Sequence, residues 1–104
     1  MMFRMMLLAV AAVLAAMGPA WADAIDGQWC FAGSSLEIQG PRIRTPGGHE
    51  ISGTYSRHDF SYVVPANEPG GGSEVNMVLL SEDTLTLTRG PAAPETWRRC
   101  KPTS

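Results

Sequence analysis

The stretch ISGTYSRHDFSYVV, residues 51–64, alternates large apolar side chains with small polar ones on both sides of a polar centre. Side chains along a strand point alternately to opposite faces. Ile51, Gly53 and Tyr55 therefore share one face, and Ser52 and Thr54 the other. Past the break, His58, Phe60 and Tyr62 fall on one face, with Asp59 and Ser61 behind them. With Ser56-Arg57 as the turn, Tyr55 faces His58, Gly53 faces Phe60 and Ile51 faces Tyr62. An aromatic face backed by a polar one is the signature of a half-buried antiparallel pair.

The same grammar runs outward in both directions. Short β-rich runs fall at 27–31, 35–39, 42–45, 50–55, 58–64, 74–81, 84–89 and 96–99, separated by Gly, Pro, Asn and Ser. No segment past residue 22 carries a sustained 3.6-residue apolar period, so the fold class is all-β. The expected architecture is a small antiparallel meander barrel or sandwich of about 7–8 short strands. In the second hairpin a turn at Glu82-Asp83 pairs Leu80 with Leu85 and Val78 with Leu87, giving a core face. The reverse face then carries Val75, Met77 and Leu79 as an outward apolar stripe. PANEPGGGS, residues 65–73, has two prolines, three consecutive glycines and no large apolar side chain. It reads as a mobile solvated connection, with a flap over one barrel end as the alternative.

The chain opens with Arg4, an apolar run over 7–17, the helix breakers Gly18-Pro19 and Ala20-Trp21-Ala22. That is the layout of a signal peptide cleaved after Ala22. The apolar run is shorter than the roughly 20 residues that a spanning helix needs. Residues 1–22 are expected to be a cleaved leader, 23–104 a single β domain, and the location periplasmic or secreted. Once the leader is removed, no membrane attachment is expected. A domain of this size commonly relies on a covalent staple. Cys30 and Cys100 are the only 2 cysteines, one near each end of the expected domain, and read as a single disulfide closing the fold. Eight Lys+Arg stand against 10 Asp+Glu, a formal net charge of −2, which argues against a nucleic-acid binder.

Gly27-Gln28-Trp29 in the first run resembles the Gly-x-Trp start of the calycins, the lipocalin and avidin-like barrels. The resemblance implies that Trp29 closes the barrel floor and that Arg98 or Arg99 from the last strand covers its ring. A guanidinium over an indole face gains about 0.5–2 kcal/mol. GSSLEI and EISGTY are loosely similar to the opening hairpins of an avidin-type barrel.

Chemistry is sparse. His49 and His58 are the only 2 histidines, and in the expected hairpin they lie roughly 20 Å apart at ~3.3 Å per residue. His58 reads as a hairpin-end residue and His49 as an exposed loop residue. The carboxylates are scattered, and no calcium-loop, nucleophile-elbow or Cys-x-x-Cys pattern occurs. No catalytic residues, metal or cofactor are therefore expected.

Three functions follow as expectations. The first is a non-enzymatic binding module, of inhibitor or accessory type, that recognises a protein partner or self-associates through Val75, Met77 and Leu79. The second is a small-ligand carrier of calycin type, with Ile51, Tyr55, His58, Phe60 and Tyr62 lining a cup and Trp29 as its floor. The third, least favoured, is a small hydrolase or metal-handling protein built around His58. Trp29, Tyr55, His58, Tyr62, Val75, Met77, Leu79 and Arg99 are the candidate contacts.

Overall fold

The computed structural model describes residues 24–101, and the expected leader lies outside them. Nine strands run in chain order: β1 Gly27–Phe31, β2 Ser34–Gln39, β3 Arg42–Arg44, β4 Glu50–Ser52, β5 Thr54–Tyr55, β6 Asp59–Val63, β7 Glu74–Ser81, β8 Thr84–Arg89 and β9 Glu95–Arg99. They form one antiparallel sheet in the order β4-β3-β2-β1-β9-β8-β7-β6-β5. The two outer members of that order, β4 and β5, are consecutive in sequence and separated only by Gly53. The first half of this run pairs with β3 and the second half with β6, so the sheet curls into a nearly closed barrel. No helix occurs among the described residues, and none is long and apolar enough to cross a membrane.

Gly53 is what lets one run serve two neighbours. Its N–H donates to Pro41 O at 2.8 Å on the β3 side. On the other side a Cβ at this position would collide with Ser61 O and the Phe60 ring. The run expected as one strand over 50–55 is therefore two short ones. Closure also ties the first strand to the last. β1 and β9 share two rungs, Trp29↔Arg99 and Cys30↔Arg98. Just beyond them the Cys30–Cys100 disulfide spans a sequence separation of 70.

The interior is filled by side chains from all around the barrel. Trp29, Trp97, Phe60, Ile38, Met77 and Leu87 are among the fully buried ones. They form a single cluster with Ile25, Leu36, Ile43, Tyr62, Val64, Val75 and Leu85.

Two registers differ from the sequence expectation. In the first hairpin Tyr55 faces Phe60 and Thr54 faces Ser61, two residues away from the expected pairing. The turn is centred on Arg57-His58, with Ser56 N–H donating to Asp59 O at 2.9 Å. A two-residue slip keeps every side chain on its face, so Phe60 and Tyr62 still point inward.

The second hairpin differs by one. Val75↔Arg89, Met77↔Leu87 and Leu79↔Leu85 are opposite each other, and the register then shifts between Leu79 and Ser81. The extra residue is Leu80, a β-bulge next to the Glu82-Asp83 turn. A one-residue slip exchanges the two faces of a strand. Val75 and Met77 are therefore buried and Leu79 half-buried, while Val78 and Leu80 face solvent.

Candidate functional site

One end of the barrel is closed by the segment just before β1. Ile25 is fully buried, and its N–H donates to Arg57 O across the barrel at 2.8 Å. The carboxylate of Asp26 accepts from Gly40 N–H at 2.8 Å and from the Tyr55 hydroxyl. That bond to Asp26, followed by burial, raises the pKa of the Tyr55 phenol.

Arg99 is the hub of this closure. It donates to Asp26 O at 2.5 Å, Ala24 O at 2.8 Å and Glu82 O at 2.7 Å. Its guanidinium carbon lies 4.2 Å from the centre of the Trp29 ring. Trp29 Nε1–H donates to Ile25 O at 2.9 Å. Burial pulls the Arg99 pKa below its usual value, while Asp26, Asp83 and Glu82 oppose that shift. Gly27 belongs to the same unit. Its φ is 125°, and a side chain there would occupy the place of the Arg99 Nη1. Trp29, Tyr55 and Arg99, three of the candidate contacts, thus hold the barrel end shut.

His58 is exposed in the turn between β5 and β6. Phe60 and Tyr62 do not line a cup. They are 1% and 4% exposed and belong to the core cluster. Burial pushes the Tyr62 phenol up to about 12, against the pull of Arg89. Val75, Met77 and Leu79 do not form an outward stripe, because their register with β6 and β8 turns them into the barrel.

The outward residues of β7 are the ones to consider. Val78 is 48% and Leu80 60% exposed. A depression of about 310 Å³ lies on one side, lined by Tyr55, Asp59, Phe60, Asn76, Met77 and Val78 among others. A second, of about 330 Å³, is lined by His58, Leu79, Leu80, Ser81 and Glu82. Around the barrel, Glu37, Arg42, Arg44 and Glu50 form a cross-strand ion-pair lattice on β2, β3 and β4. The crevice among them, about 40 Å³, is of water size.

The other barrel end carries a cluster that sequence reasoning missed. Glu68, inside the 65–73 loop, reaches across to the β3–β4 loop. One of its oxygens accepts from Thr45 Oγ1 at 2.5 Å and from His49 Nδ1 at 2.6 Å. Asn67 Nδ2 lies 3.1 Å from His49 Nε2. Thr45 Oγ1 in turn accepts from the His49 N–H at 3.1 Å. The Glu68 side chain is 7% exposed. Burial alone would raise its pKa. The bonds from Thr45 and His49, the His49 charge and a Gly47 backbone bond more than offset burial and lower it. Gly47 lies so close to the Glu68 carboxyl that a Cβ there would overlap it. Both ring nitrogens of His49 are engaged, and Thr45 bonds to Glu68, not to the imidazole, so the group is not a nucleophile–base pair. The only advance signal was a lone carboxylate in a loop otherwise built of Pro, Gly and small residues.

Near the same end Trp97 stacks on Phe31 at 5.4 Å. Its Nε1–H donates to Glu95 Oε1 at 3.0 Å, and Arg89 donates to the same oxygen at 3.3 Å. No group of three or more His, Cys, Asp or Glu that could hold a metal ion occurs among the described residues. Comparison with known proteins found no matching family model, no matching curated protein and no matching solved structure.

Proposed function

We propose that this protein is a small exported, non-enzymatic binding module, built as a calycin-like barrel, that recognises a protein partner through the outer face of β7 and the adjoining Arg57-His58 turn. The observation that carries the reading is the exposure of Val78 and Leu80 on one strand, each lining a depression that also takes in residues of the β5–β6 hairpin. Apolar side chains next to shallow depressions are what protein partners bury. The filled interior adds support, since Phe60 and Tyr62, which a carrier would use to line its pocket, are spent on the core. Export is supported by the disulfide, a bond that persists in oxidising compartments. The calycin likeness rests on the up-and-down strand order and on Arg99 lying over Trp29.

The test is cross-linked capture from the exported fraction, followed by native mass spectrometry. Wild type is compared with a Val78→Asp/Leu80→Asp double variant and with Gln39→Asp on β2. Wild type and Gln39→Asp are expected to bring down the same protein in fixed stoichiometry, and the double variant to lose it while keeping its fold. Retention of that protein by the double variant, or recovery of the barrel with only a small molecule bound, rules the reading out.

A further inference from the structure

The flank between β4 and β6 is where the barrel is least stitched. β4 pairs only with β3, and β6 pairs only with β5 and β7. The 65–73 loop leaves β6 on this flank and is a compact body in its own right. Glu68 N–H donates to Pro65 O at 3.0 Å, Gly71 N–H to Glu68 O at 2.9 Å and Gly72 N–H to Val64 O at 2.9 Å. Gly71 sits so tightly on Ala66 that a Cβ there would overlap its backbone. The contacts described above that join this body to the β3–β4 loop run through Glu68 and through Asn67 on His49.

We propose that Glu68, Thr45 and His49 form an acid-released latch, which holds the preformed 65–73 loop against the β3–β4 loop across the unpaired β4–β6 flank. Ionised Glu68 accepts from two side-chain donors at one oxygen. A protonated carboxyl is a weak acceptor and brings a donor of its own, so it cannot satisfy both. His49 Nδ1 faces the shared Glu68 oxygen, and its Nε2 faces the Asn67 amide. Glu68 is the common partner of Thr45 and His49, so its protonation is what breaks the cluster.

Other ionisable groups stand nearby. Glu50, next to His49 in sequence, is paired with Arg42 and Arg44. The Tyr62 phenol on β6 senses Glu68, Arg89 and Glu95, and stays protonated throughout the acid range. The sign follows from the lowered carboxyl of Glu68. The latch is complete above the ordinary glutamate range near 4.3, and is lost as pH falls through the lower folded value.

Amide hydrogen-exchange protection, corrected for intrinsic rate, tests this on the whole protein. Between about pH 6.5 and about pH 3, protection of Gly47 and His49, on the far side of the latch, is expected to fall, while Met77 and Leu87 keep theirs. Glu68→Gln is expected to sit at the released level at both pH values. Thr45→Val keeps the carboxylate but removes a donor, and its release midpoint is expected to move up in pH. Loop protection unchanged at acid pH, or lost only together with that of Met77 and Leu87, overturns the latch. So does a Thr45→Val midpoint equal to wild type.

Discussion

At the scale of single residues the closed end depends on Arg99. Its planar fork reaches three backbone carbonyls and lies on the Trp29 ring. Arg99→Ala removes the ring contact and strips those carbonyls of their donors. It is expected to cost roughly 2–4 kcal/mol in chemical denaturation. Arg99→Lys is expected to recover little of this, because an ammonium cannot present the same fork. Gly27→Ala should mimic the loss, at about 1–3 kcal/mol, since it combines a left-handed φ with a collision at Arg99. Tyr62 carries a different signature. Its pKa is raised in the fold, so the fold favours the neutral phenol. That contribution is complete below the ordinary tyrosine value of 10.0 and is lost as pH rises towards about 12. Denaturant midpoints of wild type should fall over that interval, and the Tyr62→Phe variant should lack this part of the slope. A covering arginine for Trp29, either Arg98 or Arg99, was legible only through the resemblance of Gly27-Gln28-Trp29 to the calycin start, and it is Arg99 that lies over the ring. The reason for the glycine was not legible, because it lies in contact with a residue far along the chain.

At the scale of elements the informative strand is β7. Both of its faces carry apolar residues, Val75, Met77 and Leu79 on one and Val78 and Leu80 on the other. Periodicity alone cannot choose between them. The choice is made by β6, whose inward Phe60 and Tyr62 stand opposite Met77 and Val75. That register spans the 65–73 loop, whose length does not set a pairing. The bulge at Leu80 then reconciles the inward face with the Glu82-Asp83 turn, where Asp83 accepts from Ser81 and Thr84 at 3.0 Å each. Deleting Leu80 should therefore be tolerated, with thermal melts showing a loss under about 1.5 kcal/mol. The hairpin becomes regular, and Met77 and Leu79 keep their face. Met77→Glu places an unpaired carboxylate in the core and should unfold the barrel or cost at least about 3 kcal/mol. If Met77→Glu is harmless and the Leu80 deletion is not, the face assignment is reversed.

At the scale of the whole molecule the disulfide and the barrel seam act together. β1 and β9 share only two rungs, and the bridge pins them from the outer side. For a loop of 70 residues the chain-entropy treatment gives about 4.4 kcal/mol. A Cys30→Ser/Cys100→Ser variant should lose about 4 kcal/mol, seen as a Tm drop of roughly 15–30 °C. A drop below about 5 °C would mean that the two rungs and Arg99 hold the seam unaided. The sequence by itself determined the all-β class, the approximate strand positions and the pairing of Cys30 with Cys100. Each follows from local alternation, from turn residues or from having only one possible partner. Only the tertiary structure decided that Gly53 splits a strand between two neighbours, that β7 turns Val78 and Leu80 outward, and that Glu68 reaches Thr45 and His49. Those three depend on how distant segments meet when the sheet closes, and local periodicity does not encode that register.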